Sequence, residues 1–295
     1  MKQKFPYLFP AVMTLATCGA GHLDAAITAS EDYSLIPNYG GTYLGQGNAA
    51  VNGSQAVLNN SCVPTSVANG LSYMQAYAYC TDTPSPFSSN PNQYAAVNAL
   101  QTAMGTTASG TYPGPALTGL QSYFATVNLA PGVLTWQDTN PTAQTMANYL
   151  NSHDGVQLGI LWGSVTGTTF TGGGGHFVSL TGLDLTDGSG TIDILDPWGN
   201  PIGNDADTSG AQKSLLVSSV NITAGLPAGT YFKVTFPNTD FSDPVYPAAG
   251  TAYAGGALTG IIAIDMVQAI PEPTAGSFVL ITIALGSGLR RCRRA

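Results

Sequence analysis

The sequence predicts an α+β fold in which several helices come first and an antiparallel β-sheet follows. Apolar residues recur at helical spacing in four segments of the first half, at 62–78, 91–104, 115–126 and 142–151. Strand-like segments fill the second half, at 156–162, 176–185, 191–196, 214–222, 230–236 and 259–268. The body between the two terminal segments has about 240 residues, enough for one domain with a large core.

The clearest of the predicted helices starts at Cys62. Val67, Leu71 and Met74 recur there at the spacing of one helix face. Pro64 falls in the first turn, where proline is tolerated. Cys62 is therefore expected at a helix N-terminus, where the helix dipole favours a negatively charged thiolate over a neutral thiol.

The strand that His176 opens and the strand that Asp196 ends are predicted to form a hairpin. The segment Asp187-Gly188-Ser189-Gly190 supplies a turn between them and begins near the midpoint of the two residues. His176 and Asp196 are therefore expected at the same open end of the hairpin. A carboxylate beside an imidazole there is the orienting half of a catalytic triad. His153, in a predicted loop, is the less favoured candidate for the base.

A disulfide is one alternative to a reactive Cys62, and an inert buried thiol is another. One of the four cysteines falls in each terminal segment, so that Cys62 and Cys80 belong to the folded part. If residues 63–78 form one helix, its ends are roughly 24 Å apart, whereas a disulfide tolerates at most about 7 Å between Cα atoms. The disulfide therefore requires a break in the helix near Gly70.

The motifs around these residues resemble those of the papain-like cysteine peptidases. Cys62 begins a C-x-P-T-S motif, His176 a strand of the form H-x-V-x-x-x-G, and Asp196 a return-strand ending D-x-W-G. Together they resemble especially the bacterial branch related to bacteriocin-processing, double-glycine-leader peptidases. The resemblance covers roughly residues 45–200. It implies a papain-like fold, in which a helix that begins with the catalytic cysteine packs with other helices on an antiparallel sheet.

The resemblance also implies a role for each residue. Cys62 would attack a peptide carbonyl, His176 would act as the base, and Asp196 would orient the imidazole. The chain would then hydrolyse or transfer a peptide bond of a peptide or protein substrate. The glutamine that helps to bind the oxyanion in this family would be Gln55.

Two departures from the family pattern leave a different class of function open. Gln55 lies seven residues before Cys62, one more than the family spacing. Gln46 or Asn60 could bind the oxyanion instead. Val63 stands where a glycine commonly follows the cysteine. The alternative is a non-catalytic surface or matrix protein that retains the peptidase-like fold.

The N-terminal segment, residues 1–26, has the composition of a secretory signal. Lys2 and Lys4 form its basic part, an apolar stretch follows at 5–20, and small residues surround the expected cleavage site at 20–26. We therefore expect export and removal of this segment by signal peptidase. The mature body would be residues 27–269, with its core at 45–236.

The C-terminal segment, residues 270–295, resembles the PEP-CTERM sorting signal of Gram-negative bacteria. Pro271-Glu272-Pro273 precedes an apolar run at 275–289 and the basic cluster Arg290–Arg294. The run makes about 22 Å of helix, short for a bilayer core of about 30 Å. The resemblance implies transient membrane insertion and removal of the tail by an exosortase-type enzyme. The product would then be released or attached at the cell surface or in extracellular polymer.

The charge of the body excludes nucleic acid as a partner. Residues 27–269 contain two lysines, no arginine and fourteen acidic residues, so the body cannot neutralise phosphates. The remaining cysteines and histidines lack the spacing of a zinc site, and no nucleotide-binding fingerprint occurs. We therefore expect neither a metal nor a cofactor.

Overall fold

The computed structural model describes residues 26–31, 43–48, 50–76, 90–127, 133–138, 140–198, 209–235 and 255–266. Within these residues the chain combines helices with an antiparallel sheet, as the sequence predicts. Most of the predicted signal segment, Cys80 and the predicted apolar helix at 275–289 lie outside the described residues. No helix within the described part is long and apolar enough to span a membrane.

The four longer helices begin and end within two residues of the predicted bounds. Their apolar periodicity is strong enough to define them, and a side-chain cap fixes the start of the last one. There Thr142 Oγ1 accepts a hydrogen bond from the Thr145 backbone N–H at 3.0 Å. A single-turn helix before Cys62 was not predicted, because one turn carries no periodic signal. The helices are α1 Gln55–Leu58, α2 Cys62–Ala76, α3 Asn90–Ala103, α4 Pro113–Thr126 and α5 Ala143–Asn151.

All six predicted strands are present, together with three short strands that the sequence did not indicate. The predicted strands are β4 Gly155–Thr166, β5 Thr169–Thr186, β6 Ser189–Asp196, β7 Ser209–Ile222, β8 Gly229–Thr235 and β9 Gly255–Met266. The additional strands are β1 Ile27–Ser30, β2 Tyr43–Leu44 and β3 Val133–Asp138, which pair with β5, β7 and β9 respectively.

Six of the strands close into a ring of antiparallel ladders. β4 pairs with β5, β5 with β6, β6 with β7, β7 with β8, and β8 with β9, which returns to β4. Each of these strands therefore has a partner on both sides along part of its length, as in a small barrel. Every strand of the ring contributes to one buried apolar cluster, including Leu158, Leu180, Ile194, Leu215, Val234 and Leu258.

Helix α2 packs on the opposite face of these strands. Neighbouring residues of β9 divide between the two sides, because Ile261 belongs to the ring cluster and Ile262 to the cluster that contains α2. A Cβ at Gly70, in the middle of α2, would come within 2.5 Å of Gln157 Nε2 on β4. The absence of a side chain at Gly70 therefore lets the helix lie close to the sheet.

Two crossing hydrogen bonds fix α2 against β5. Ser66 Oγ donates to the Phe177 carbonyl at 2.8 Å, and Ser179 Oγ donates to the Ser66 carbonyl at 3.0 Å. Ser66 lies one helical turn after Cys62, and Phe177 is the neighbour of His176. The two bonds therefore set the position of the first turn of α2 relative to the strand that carries the histidine.

A group of buried acids lies toward the other end of α2. Glu31 and Asp154 are both buried. Burial raises the pKa of Glu31 to about 9; a hydrogen bond from Tyr73 opposes this shift, and the charge of Asp154 adds to it. Burial, with the charge of Asp265, raises the pKa of Asp154 to about 7. Both carboxyl groups therefore stay protonated at pH values well above those at which carboxyl groups ordinarily ionise.

The raised pKa of Glu31 predicts that the free energy of unfolding decreases as the pH rises. Folded protein keeps a proton that the unfolded chain releases, so this contribution is complete below pH 4.5 and is lost as the pH rises toward about 9. We expect Glu31→Gln to flatten the dependence and to stabilise the fold by ~1 to 3 kcal/mol at pH 9, because no buried charge then forms. Urea unfolding at pH 5 and pH 9 measures this. Asp184→Asn, at an exposed position on β5, serves as the control.

Candidate active site

Cys62 is the first residue of α2, as predicted, and carries a buried, free thiol. The first backbone N–H groups of an α-helix have no partner within the helix, so they are directed toward whatever lies at its N-terminus. Helix α2 continues through Gly70 to Ala76 without the break that the disulfide alternative required. The thiol therefore lies where the helix dipole stabilises negative charge.

The residue before Cys62 is held by side-chain hydrogen bonds. Ser61 Oγ donates to the Val57 carbonyl at 2.6 Å and accepts from Gln101 Nε2 of α3 at 2.7 Å. Ser61 is fully buried. This link to α3 fixes the backbone immediately before α2, and therefore the position of Cys62 in the site.

The hairpin of β5 and β6 has the predicted turn but a slightly different register. Asp187 and Gly188 have φ angles of 55° and 69°, which is the type I′ geometry expected of Asp-Gly, whereas the next two residues belong to β6. An irregularity between Leu180 and Gly182 shifts the ladder, so that Ser179 lies opposite Leu195. His176 and Asp196 therefore meet diagonally at the open end instead of directly across from each other.

The predicted histidine–aspartate pair is present in the structure. His176 Nε2 lies 2.7 Å from Asp196 Oδ1, and both side chains are 2% exposed. The Trp198 backbone N–H donates to the same oxygen at 2.9 Å, and Lys213 Nζ donates to Oδ2 at 2.6 Å. The carboxylate therefore has donors on both oxygens, which fixes its plane and the orientation of the imidazole.

Electrostatic interactions favour the charged forms of this pair. Burial lowers the pKa of His176, but the charge of Asp196, the hydrogen bond that His176 donates to Asp196 and the interaction with Cys62 outweigh it and raise the pKa to about 10. Burial also opposes ionisation of Asp196, but Lys213 and His176 hold the pKa of that carboxyl well below its usual range. At neutral pH the pair is therefore an imidazolium beside a carboxylate.

The Cys62 side chain interacts with the same imidazole and helps to raise its pKa. Because Nε2 is taken by Asp196, Nδ1 is the ring nitrogen that remains for the thiol. The three predicted residues thus form a continuous line from sulfur through imidazole to carboxylate, although they come from a helix and two strands. Such a line can hold a thiolate–imidazolium pair and pass a proton to or from a substrate.

An aromatic ring that was not predicted from the sequence covers the histidine. Trp162 of β4 stacks on His176, with ring centroids 5.6 Å apart and planes inclined by 17°. The ladder places Ile160 opposite His176, so Trp162 is a near neighbour across the strand pair. The short Gly167-Thr168 turn between β4 and β5 was the signal that could have revealed this neighbour.

The glycines before His176 lie within a strand. β5 begins at Thr169, seven residues before the predicted start, and Gly172–Gly175 are exposed residues of it. A Cβ at Gly172 would lie 2.0 Å from the Trp162 carbonyl oxygen. Glycine is therefore required where β4 and β5 approach each other closely.

The predicted glutamine and its alternatives lie in and before the turn that precedes Cys62. Gln55 is the first residue of α1. The side-chain amide of Gln46 donates to the carbonyl groups of Leu58 and Asn59, at 3.2 and 2.9 Å. The amide of Asn60 likewise donates to two backbone carbonyl groups. The side-chain donors of Gln46 and Asn60 are therefore committed to the backbone, which argues against either residue in the oxyanion role.

Within the part of the chain that the structure describes, no three His, Cys, Asp or Glu side chains are grouped so that they could hold a metal ion. The sequence matches no protein-family model, and comparison with curated protein sequences finds no significant match.

Proposed function

We propose that the chain is an exported cysteine peptidase of papain-like type that acts through Cys62, His176 and Asp196. The observation that carries the proposal is the buried hydrogen bond between His176 and Asp196, with Cys62 at the start of α2 interacting with the same imidazole. A serine, a metal or a nucleotide is not needed for this chemistry. The resemblance of the surrounding motifs to papain-like peptidases adds to the same conclusion.

In the proposed mechanism His176 takes the proton of Cys62, and the thiolate attacks the carbonyl carbon of a peptide bond. The oxyanion that forms is bound by the Cys62 backbone N–H at the start of α2 and, as the family resemblance implies, by Gln55. Each such donor contributes about 3 kcal/mol in comparable sites. The imidazolium then gives its proton to the leaving amine, which departs as the acyl-enzyme forms.

The second half of the mechanism uses the same imidazole as a base. Neutral His176 takes a proton from a water molecule, or from an amine if the acyl group is transferred, and the nucleophile attacks the thioester. The proton returns to the sulfur as the product leaves. Trp162, stacked on His176, keeps bulk water from the face of the imidazole, so that the ion pairs operate in a low-dielectric site.

Covalent trapping tests the proposal. Full-length protein treated with a panel of peptidyl fluoromethyl ketones of varied sequence should gain the mass of one inhibitor, mapped by peptide analysis to Cys62. The matched variant Cys62→Ala should gain none. A modification that falls elsewhere, or the absence of any adduct across the panel, would contradict a peptidase function.

A non-catalytic surface or matrix protein is the second candidate. The near-complete burial of the site favours it, because Cys62 is 6% exposed and His176 2% exposed. Val63, where the family commonly has glycine, is itself part of the buried core. This candidate predicts a folded protein in which Cys62 reacts with none of the peptidyl inhibitors, so the same experiment separates the two functions.

We also propose that the chain is sorted to the cell surface or extracellular polymer of a Gram-negative bacterium. The support is the sequence of residues 270–295, which resembles the PEP-CTERM signal. Mass spectrometry of the mature protein should find its C-terminus near Pro273, because the sorting enzyme would remove the remaining tail. Detection of Arg290–Arg294 on the surface-exposed form would contradict this account.

A further inference from the structure

Lys213 contacts the carboxylate of the candidate triad but takes no part in the steps of the proposed mechanism. Its Nζ donates to Asp196 Oδ2 at 2.6 Å, whereas His176 and the Trp198 backbone N–H bind Oδ1. The Lys213 side chain is 12% exposed, so the pair lies largely out of water. A charge-assisted bond of this length in such surroundings is stronger than an exposed ion pair.

The strand register explains why this lysine reaches the carboxylate. β6 and β7 pair so that Asp196 lies opposite Ala211 and Ile194 lies opposite Lys213. Lys213 is therefore the diagonal neighbour of Asp196, within reach of a long side chain. Between residues 27 and 269 the chain has no arginine and only one other lysine, Lys233. The body thus has one of its two cations beside the carboxylate of the candidate triad.

We propose that Lys213 is a positioning residue of the active site. It holds Asp196 ionised and in its hydrogen-bonding plane, so that His176 can act on Cys62 at acidic pH. The inference rests on the proposed function, since it assigns a role in the same Cys62–His176 chemistry. Lys213 touches neither the sulfur nor the substrate carbonyl in this account, and it acts only through Asp196.

The charged groups that face Asp196 are His176 from β5 and Lys213 from β7, and Cys62 from α2 reaches it through His176. Without Lys213, the ionised carboxylate would keep only the imidazolium and one backbone N–H. Asp196 would then take up a proton at a higher pH than in the native protein. A neutral carboxyl group no longer stabilises the imidazolium, so less of the positive charge beside Cys62 would remain as the pH falls.

The test is the rate at which iodoacetamide alkylates Cys62 between pH 3 and pH 8, in the full-length chain. We expect Lys213→Met to move the acidic midpoint upward by at least about one pH unit, so that the rate falls by about tenfold at pH values below the native midpoint. The rate at pH 7 should change by less than about threefold. Lys213→Arg should restore the native midpoint, because it keeps the charge.

Lys233→Met is the matched control. Lys233 lies on β8 opposite Ser218, five residues along β7 from Lys213, or about 17 Å away at ~3.3 Å per residue. The variant removes the same charge from the same body and should leave the midpoint unchanged. A purely structural role for Lys213 would lower the rate equally at all pH values, or lower only the thermal midpoint.

An unshifted acidic midpoint in folded Lys213→Met overturns the inference. Equal alkylation rates in the native protein and in His176→Ala would instead overturn the proposed function, so the two failures are distinguishable. If Lys213→Met does not fold, carboxyl NMR on the native chain labelled at aspartate decides the matter. An Asp196 carboxyl that remains ionised to pH 3 supports the inference, and one that titrates near pH 4 contradicts it.

Discussion

Replacing His176 by alanine is expected to lower the rate at which iodoacetamide alkylates Cys62 at pH 6 by about 100-fold. An ordinary cysteine is only roughly 0.3% thiolate at that pH. The pKa of His176 is raised to about 10, so a positive charge lies beside the Cys62 sulfur across the neutral range. A neighbouring positive charge favours the reactive thiolate, so the native rate should exceed that of the variant at pH 6.

Two further variants make this result specific. His176→Gln fills most of the same space without the positive charge, so it separates the loss of charge from easier access of the reagent. His153→Ala is the matched control, because the other described histidine lies 3.5 Å from the Tyr73 hydroxyl. Tyr73 is eleven residues along α2 from Cys62, or about 16 Å. Equal rates in the native protein and His176→Gln would show that the thiol does not depend on the imidazole.

Asp196→Ala is expected to be among the most destabilising single substitutions in the protein, by about 3 to 5 kcal/mol at pH 5.5. The carboxylate accepts hydrogen bonds from His176, Lys213 and the Trp198 backbone, and its removal leaves buried donors and charge without a partner. Asp196→Asn keeps an acceptor oxygen and should lose less. Asp193→Ala, at an exposed position on the same strand, should change stability by less than about 1 kcal/mol.

The pH dependence of this loss follows from the two shifted groups. The raised pKa of His176 contributes stability that is complete below pH 6.5 and is lost as the pH rises toward about 10. The lowered pKa of Asp196 contributes stability present above its ordinary value of 3.8 and lost as the pH falls below it. The difference between native protein and Asp196→Ala should therefore be largest between about pH 4 and 6.5. Urea unfolding at pH 5.5 and pH 9.5 measures it, and an equal difference at both would contradict the ion pair.

Sequence patterns were sufficient where local periodicity and turn chemistry decide the structure. Helix α2 and its start at Cys62 followed from apolar spacing and a proline in the first turn. The Asp187-Gly188 turn followed from the backbone preference of Asp-Gly. The short strands β1, β2 and β3 were missed because two to six residues give too little alternation to detect, and their partners are distant in sequence.

The neighbours of the site depend on tertiary structure instead. Trp162 and Lys213 reach His176 and Asp196 across strand pairs, and a one-residue change of register would turn each side chain to the other face. The bond from Ser66 to Phe177 spans 111 residues of chain. No local pattern encodes such a contact. The sequence does show that the body has two lysines, and they stand out because the domain is otherwise acidic.

Turnover of peptides by the full-length protein tests the central claim most directly. A mixed-sequence peptide library should be cleaved at defined positions by the native chain, with new termini identified by mass spectrometry. Cys62→Ala should abolish these cleavages, while His153→Ala should leave them in place. Cleavage that persists in Cys62→Ala, or a folded native protein with its Cys62–His176 pair intact that cleaves no member of the library, would contradict the account.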